Sequence, residues 1–346
     1  MVILEKLPGA LLPWYEENKR DLPWRRDKEP YHVWLSEIML QQTRVEAVRG
    51  YYTRFLERLP DVGALAGCDD EVLHKLWEGL GYYSRVRNLK KAAIEVMSTH
   101  EGCFPSEYQN ILALPGIGEY TAGAICSIAF GQPTPAVDGN VLRVLSRLRA
   151  DGECVDLPGH KRRVRMELEQ VYPRDRAGEF TQALMELGAT VCLPNGEPKC
   201  GDCPCRKFCE SRAGAWKQYP VRQEKKKRRT EEKTVFVLRC GDCWALVKRP
   251  EKGLLARLWQ FPDTPGFLEP AEAVAWAERQ GLRPVNLERM VERSHIFTHI
   301  QWNMLCFYLS VAEVNEKFVW MEGKQVEEEA ALPTAYRQFW EEIQNV

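Results

Sequence analysis

No uninterrupted apolar run in these 346 residues approaches the ~18–20 that a membrane-spanning helix needs, so no integral membrane segment is predicted. The first twenty residues, MVILEKLPGALLPWYEENKR, also lack the basic-then-apolar-then-small order of a signal peptide. The expected compartment is therefore the cytoplasm, beside the nucleoid if the source is bacterial. Net charge is nearly absent, formally −1, which argues against a protein coated in basic surface. Nor does composition suggest disorder: 45% of residues are hydrophobic and 28% charged, the balance of a soluble globular chain long enough for two domains.

Charge balance over the whole chain hides local clusters. Arg20, Arg25 and Arg26, then Arg85, Arg87, Lys90 and Lys91, then Arg143, Arg147 and Arg149 all lie in the first two-thirds, while Glu327-Glu328-Glu329 stand near the end. That asymmetry fits a nucleic-acid-binding front half; the plainer reading is solvated faces.

Strand-like alternation is missing from residues 1–212. Apolar residues recur there at helical spacing over 33–48, 71–80, 86–97, 121–130, 139–149, 162–171 and 179–190, with Pro/Gly punctuation between. Val221 to Arg229 has almost no apolar content and reads as an exposed linker. Beyond it the texture changes. Strands are predicted over 234–239 and 244–247 around a Gly-Asp turn, then over 285–293, 295–301 and 303–311, with a helix at 270–281. The expected organisation is a mainly α domain over 1–220, a basic linker over 221–233 and an α+β domain over 234–346.

What the chain has in excess for a reducing compartment is cysteine, twelve in all. Cys68, Cys103, Cys126, Cys154 and Cys306 are isolated and read as small buried hydrophobes. Cys240 and Cys243 read as turn residues of a hairpin. Cys192, Cys200, Cys203 and Cys209 fall within eighteen residues, spaced x7, x2 and x5. Four thiolates so close can enclose one tetrahedral zinc or one 4Fe–4S cube, and spacing alone does not choose. Cys205 lies inside the same loop as a competitor.

Residues 112–140 carry the densest signal. Leu114-Pro-Gly116-Ile-Gly118 is a tight turn opening into a small-residue helix. Its glycines admit close backbone approach, and the helix N-terminus presents unpaired N–H groups, together a socket for a phosphate. Asp138 and Asn140 follow in a Pro-rich turn, as ordinary helix N-caps or as functional groups; the helix dipole there favours an ionised Asp138. Upstream, Glu37 is flanked by Val33, Trp34, Leu35, Ile38, Met39 and Leu40. Desolvation in that company raises a carboxyl toward a value suited to proton donation, the alternative being a salt-bridged surface glutamate. The polar tip Gln41-Gln42-Thr43 after the apolar stretch favours a site. An anionic Asp and a protonatable Glu in one cleft form the pair needed to break a glycosidic bond through an oxocarbenium-like transition state.

WLSEIMLQQTRV at 34–45, GLGYYSRVRNL at 79–89, LPGIGEYTAGAI at 114–125, AVDGNVLRVLSR at 136–147 and the cysteine loop together resemble the helix-hairpin-helix DNA glycosylases with an iron–sulfur cluster, the endonuclease III superfamily. Within it the chain is most similar to the A/G-specific adenine glycosylases, over essentially its whole length. The resemblance implies a helix-hairpin-helix glycosylase domain with an iron–sulfur loop, followed by a Nudix-like domain that recognises 8-oxoguanine. It implies Glu37 as the acid that protonates N7 of the flipped adenine, and Asp138 as the carboxylate that stabilises the sugar cation. Tyr120 would assist near the sugar, and Asn140 would orient its neighbours. Gln42 and Tyr82 would enter the stack around the mispaired base, with Thr43 beside them. Arg25 and Gln182 would line the adenine pocket, and Gly116 and Gly118 would meet the backbone.

Strand-cutting relatives place lysine where this chain has Tyr120, and tyrosine forms no Schiff base. A monofunctional glycosylase is expected, leaving an abasic site. The resemblance also turns the metal toward one 4Fe–4S cluster per chain on Cys192, Cys200, Cys203 and Cys209, with one departure: seven residues, not six, separate the first two ligands. No Nudix box is present, so nucleotide hydrolysis is not expected. The family's Phe-Ser-His loop stands here as Phe297-Thr298-His299, with the hydroxyl kept. The implied partner is double-stranded DNA carrying A:8-oxoguanine or A:G mispairs, with no membrane and a monomeric enzyme. Two alternatives stand beside this: an endonuclease III-type glycosylase/lyase, disfavoured by Tyr120 and the second domain, and a DNA-binding module without catalysis.

Overall fold

Glycine and small residues determine how the helical part is threaded. The computed structural model describes residues 2–212, 214–224 and 227–344. Met1, Ala213, Lys225, Lys226, Asn345 and Val346, which the domain and linker boundaries above include, lie outside the described residues. Helices run α1 (Val2–Glu5), α2 (Leu7–Asn18), α3 (Pro30–Leu40), α4 (Val45–Arg58), α5 (Val62–Gly67), α6 (Asp70–Leu76), α7 (Ser84–Thr99), α8 (Tyr108–Ala113), α9 (Glu119–Ile128), α10 (Gly139–Leu148), α11 (Pro158–Glu169) and α12 (Ala177–Thr190). Up to residue 212 no strand interrupts them among the described residues.

Every residue of α9 from Thr121 to Ile128 is buried. Its small side chains let neighbours close in: a Cβ on Gly123 would stand 2.3 Å from the Pro135 carbonyl oxygen. α12 packs against α2, α9 and α10, and Leu7, Leu11, Val141, Leu145, Phe180, Leu184 and Leu187 fill the space between α2, α10 and α12. Ahead of α9, Gly116 has φ +78°, and a Cβ there would lie 2.6 Å from Asn88 Cβ. Only glycine fits that turn.

One expected helix is two. The apolar periodicity over 33–48 is broken at residues 41–44, where Gln42 takes φ +58°. The pattern runs on through the break because α3 and α4 both turn apolar faces inward, with Met39 and Val48 fully buried. Periodicity reports burial, and a turn that keeps the buried face in register leaves it unchanged.

Two compact units result, Met1–Gly67 with Arg87–Glu224, and Cys68–Val86 with Lys225–Val346. The second grouping differs from the expected 1–220 domain, because residues 68–86 bond to the C-terminal part. Glu71 accepts from Trp259 Nε1 at 2.9 Å and pairs with Lys248. Lys75 Nζ donates to the Ala330 carbonyl at 3.1 Å, and Glu78 accepts from the Leu332 N–H at 2.9 Å.

The second unit is built on a mixed sheet of β1 (Arg229–Cys240), β2 (Cys243–Lys248), β3 (Trp259–Gln260), β4 (Asp263–Pro265), β5 (Pro284–Ile296), β6 (Ile300–Val311) and β7 (Val319–Glu322). Strand order is β3-β2-β1-β6-β5, with β1 and β6 parallel, β4 on β1 and β7 on β2. β1 begins inside the stretch expected as linker, since Arg229 already pairs with Ile300. The two strands expected over 285–301 are one, β5, that turns back at Phe297–His299 into β6. Period-two alternation along β1 feeds two cores. Val235 and Val237 face a cluster with Tyr336, Phe339 and Trp340, while Phe236 and Leu238 face Ala273, Ala277 and Phe307. Helices α13 (Pro270–Arg279), α14 (Gly323–Glu328) and α15 (Thr334–Gln344) complete the unit.

Candidate active site

The first unit encloses a cavity of about 750 Å³, whose wall includes Glu37, Tyr120, Asp138, Asn140, Arg25 and Gln182. Gln42, Thr43 and Gly118 line it too, whereas Gly116 stays at the exposed hairpin turn. Residues more than 140 positions apart in sequence thus meet in one space.

Glu37 sits in the last turns of α3 with 6% of its surface exposed. Tyr120 donates its hydroxyl to Glu37 Oε2 at 2.6 Å. Burial is the dominant influence and holds the Glu37 carboxyl at about 7, against the Tyr120 hydrogen bond that favours ionisation. Asp138 adds to the rise and Arg25 opposes it. Burial, then the neighbouring carboxyls, push the Tyr120 phenol well above its ordinary value, so it remains a donor.

Asp138 is the N-cap of α10: Oδ1 accepts from the Val141 N–H at 2.8 Å and Oδ2 from Asn140 Nδ2 at 2.8 Å. Burial pushes its carboxyl up, while those two hydrogen bonds, like the helix dipole, favour the ionised form and partly offset the rise. Asn140 Oδ1 is held in turn by Arg143 Nη2 at 2.9 Å, which also donates to the Gly188 carbonyl at 2.7 Å. Arg143 Nε reaches the Cys192 carbonyl at 3.0 Å. The basic cluster Arg143, Arg147 and Arg149 is therefore internal: Arg143 and Arg147 are buried, and Arg149 pairs with Glu167.

Cys192, Cys200, Cys203 and Cys209 line one small, apolar-walled cavity with Val144, Leu148 and Trp216. Arg147 Nη1 lies 3.4 Å from Cys192 Sγ and donates to the Leu193 carbonyl at 2.8 Å. Four soft sulfur donors around one space, with a guanidinium against one of them, fit a thiolate-bound metal centre. Cys205 does not line that cavity: it is fully buried in the helical core against which Cys192, Cys203 and Cys209 pack.

In the second unit, Tyr82 is exposed with φ +48°, and its hydroxyl lies 3.0 Å from Thr298 Oγ1. Gln42 and Tyr82 thus both hold left-handed backbone, as do Glu101, Ala150, Leu255 and Arg257, a strain of order 1 kcal/mol each. Phe297 is anchored rather than free, packed edge-on 4.8 Å from Trp302, while Thr298 and His299 are exposed.

Several wall residues escaped the sequence reading, above all Glu186, with Arg20 and Met185. Glu186 carried the same signal as Glu37, a carboxylate amid Ala183, Leu184 and Leu187. Among the described residues no helix is long and apolar enough to cross a membrane.

Residues 35–174 match the family described as HhH-GPD superfamily base excision DNA repair protein, and residues 234–342 match the NUDIX domain. A solved thermostable thymine-DNA glycosylase superposes with TM-score 0.56 at 27% identity, covering 63% of this chain and 98% of that one. A helical base-excision-repair unit joined to a Nudix-like unit is the class that results. Adenine DNA glycosylase of Arabidopsis thaliana is 38% identical over 86% of this chain, and that of Mus musculus 36% identical over 87%. The chain spans 56% and 70% of their respective lengths. It belongs to the adenine DNA glycosylase family.

Proposed function

We propose that this chain removes adenine mispaired with 8-oxoguanine or guanine in duplex DNA, hydrolysing the N-glycosidic bond and leaving an abasic site. The observation that carries the reading is a buried, protonatable Glu37 sharing one cavity with Asp138 in a chain of this family. Near neutral pH Glu37 retains a proton to give to N7 of the extruded adenine, which makes the base a leaving group. Positive charge then grows on the sugar, and the Asp138 carboxylate stabilises it while water completes hydrolysis. Tyr120 orients Glu37 and, having no amine, forms no imine; the enzyme is monofunctional.

Gly116, Gly118 and the α9 N-terminus hold a backbone phosphate, with Gln42 and Thr43 at the opened stack. Arg25 and Gln182 bound the base pocket. Tyr82 and Thr298, supported by Phe297 and His299, read the opposite base. Cys192, Cys200, Cys203 and Cys209 hold one 4Fe–4S cluster, which when bound ties the loop at four points. The enzyme acts as a monomer, with catalysis in the unit of residues 1–67 and 87–224 and recognition in the unit of residues 68–86 and 225–346.

Single-turnover release of adenine from a duplex with A opposite 8-oxoguanine tests this. Glu37→Gln should slow release about 10²–10⁴-fold, the range for loss of a general acid, and borohydride should trap no wild-type enzyme–DNA imine. Full activity in the variant would refute the assignment.

A further inference from the structure

Glu186 is a charged side chain of the cavity wall to which adenine excision assigns no task. It lies on α12, fully buried, one turn beyond Gln182. Arg20 reaches Oε1 with its backbone N–H at 3.2 Å and Nε at 2.6 Å, and Oε2 with Nη2 at 3.0 Å. Arg25 Nη2 donates to Oε2 at 2.7 Å, so each oxygen accepts two bonds. Arg25 is fixed further by donation from Nη1 to the Arg20 carbonyl at 3.2 Å. Its guanidinium lies 5.7 Å from the Tyr15 ring centre, and the Tyr15 hydroxyl donates to Gln182 Oε1 at 3.0 Å. One carboxylate thus organises an entire wall. Burial would raise the Glu186 carboxyl, but the hydrogen bonds from Arg20 and Arg25 outweigh it and keep the group ionised.

Resting on the adenine-excision reading, we propose that Glu186 is a positioning residue of the site: it anchors the Arg25 guanidinium in the cavity wall and screens its positive charge from Glu37. The charged and titratable groups that share the cavity with Glu37 are Tyr120 and Glu119 from α9, Asp138 from the α10 cap, and Arg20 and Arg25 ahead of α3. Arg44 before α4, Lys161 of α11 and Glu186 itself complete them. Of the influences on Glu37, burial raises its carboxyl to about 7 while the Tyr120 hydrogen bond and the Arg25 charge pull it down. Glu186→Gln would strip Arg25 of its counter-charge and strengthen that pull. A partly buried cation in the cavity wall, left without its counter-charge, also acts more strongly on its neighbours.

The test is the pH profile of single-turnover adenine release by the full chain. Release needs protonated Glu37, so the rate falls as pH rises through its pKa. Glu186→Gln should move that midpoint down by half a unit or more, an approximately threefold loss on the alkaline limb beyond any pH-independent loss. Glu186→Gln/Arg20→Gln, which removes one arginine together with its counter-charge, should keep the lowered midpoint. Glu186→Gln/Arg25→Gln should restore it. These pairs serve equally if the single variant does not fold. Wild-type midpoints throughout, whatever the rates, would overturn the role of Glu186. A wild-type profile without this limb, or an active Glu37→Gln, would overturn the excision reading and this inference together.

Discussion

Glu37 sets stability against chemistry. Its carboxyl ordinarily titrates at 4.5, and burial holds it at about 7 in the folded chain. Between those values the folded state binds more proton than the unfolded one, so stability falls as pH rises. The contribution is fully present below about 4.5 and lost through 7, on the order of 3 kcal/mol in all. Glu37→Gln lacks this dependence. Urea unfolding should show the variant gaining on wild type by up to ~3 kcal/mol between pH 4.5 and 8. An equal difference at both pH values would contradict a buried, raised Glu37. Its apolar neighbours made this residue legible in sequence. Glu186 had similar neighbours, yet its meaning lies in Arg20 and Arg25, more than 160 residues away, which no local pattern displays.

At the level of elements, the hairpin before α9 and the cap of α10 were legible because glycine and aspartate are demanded by local backbone geometry. The break between α3 and α4 was not, since a turn that preserves the buried face leaves the hydrophobic period intact. In the cysteine loop, the wider final spacing of Cys209 suits a cube, with Cys205 as a possible competitor. Cys209 lines the small cavity with the other three sulfurs, whereas Cys205 packs into the helical core. Iron and sulfide analysis of anaerobically purified protein should find Cys209→Ala depleted and Cys205→Ala close to wild type. The reverse result would move the fourth ligand to Cys205.

On the scale of the whole molecule, residues 68–86 group with the C-terminal unit. Lys75, Glu78 and Glu71 spend their polar groups on Ala330, Leu332, Arg337, Trp259 and Lys248. A chain ending at Glu224 strips every one of those partners. Its first proteolytic cuts should fall within 68–86, and its melting temperature should drop by several degrees or more, by limited proteolysis and calorimetry. Protection of 68–86 in the shortened chain would show that the segment stands without them. Composition, periodicity and motif spacing marked a helical stretch and a strand-rich one, a glutamate amid apolar neighbours, an aspartate at a helix start and a four-thiol loop, because each is written in neighbouring residues. The pairing of Glu37 with Tyr120, the Arg20–Glu186–Arg25 wall and the placement of Tyr82 beside Thr298 were decided only by tertiary structure. Burial and charge compensation act between side chains that the fold, not the chain, makes neighbours.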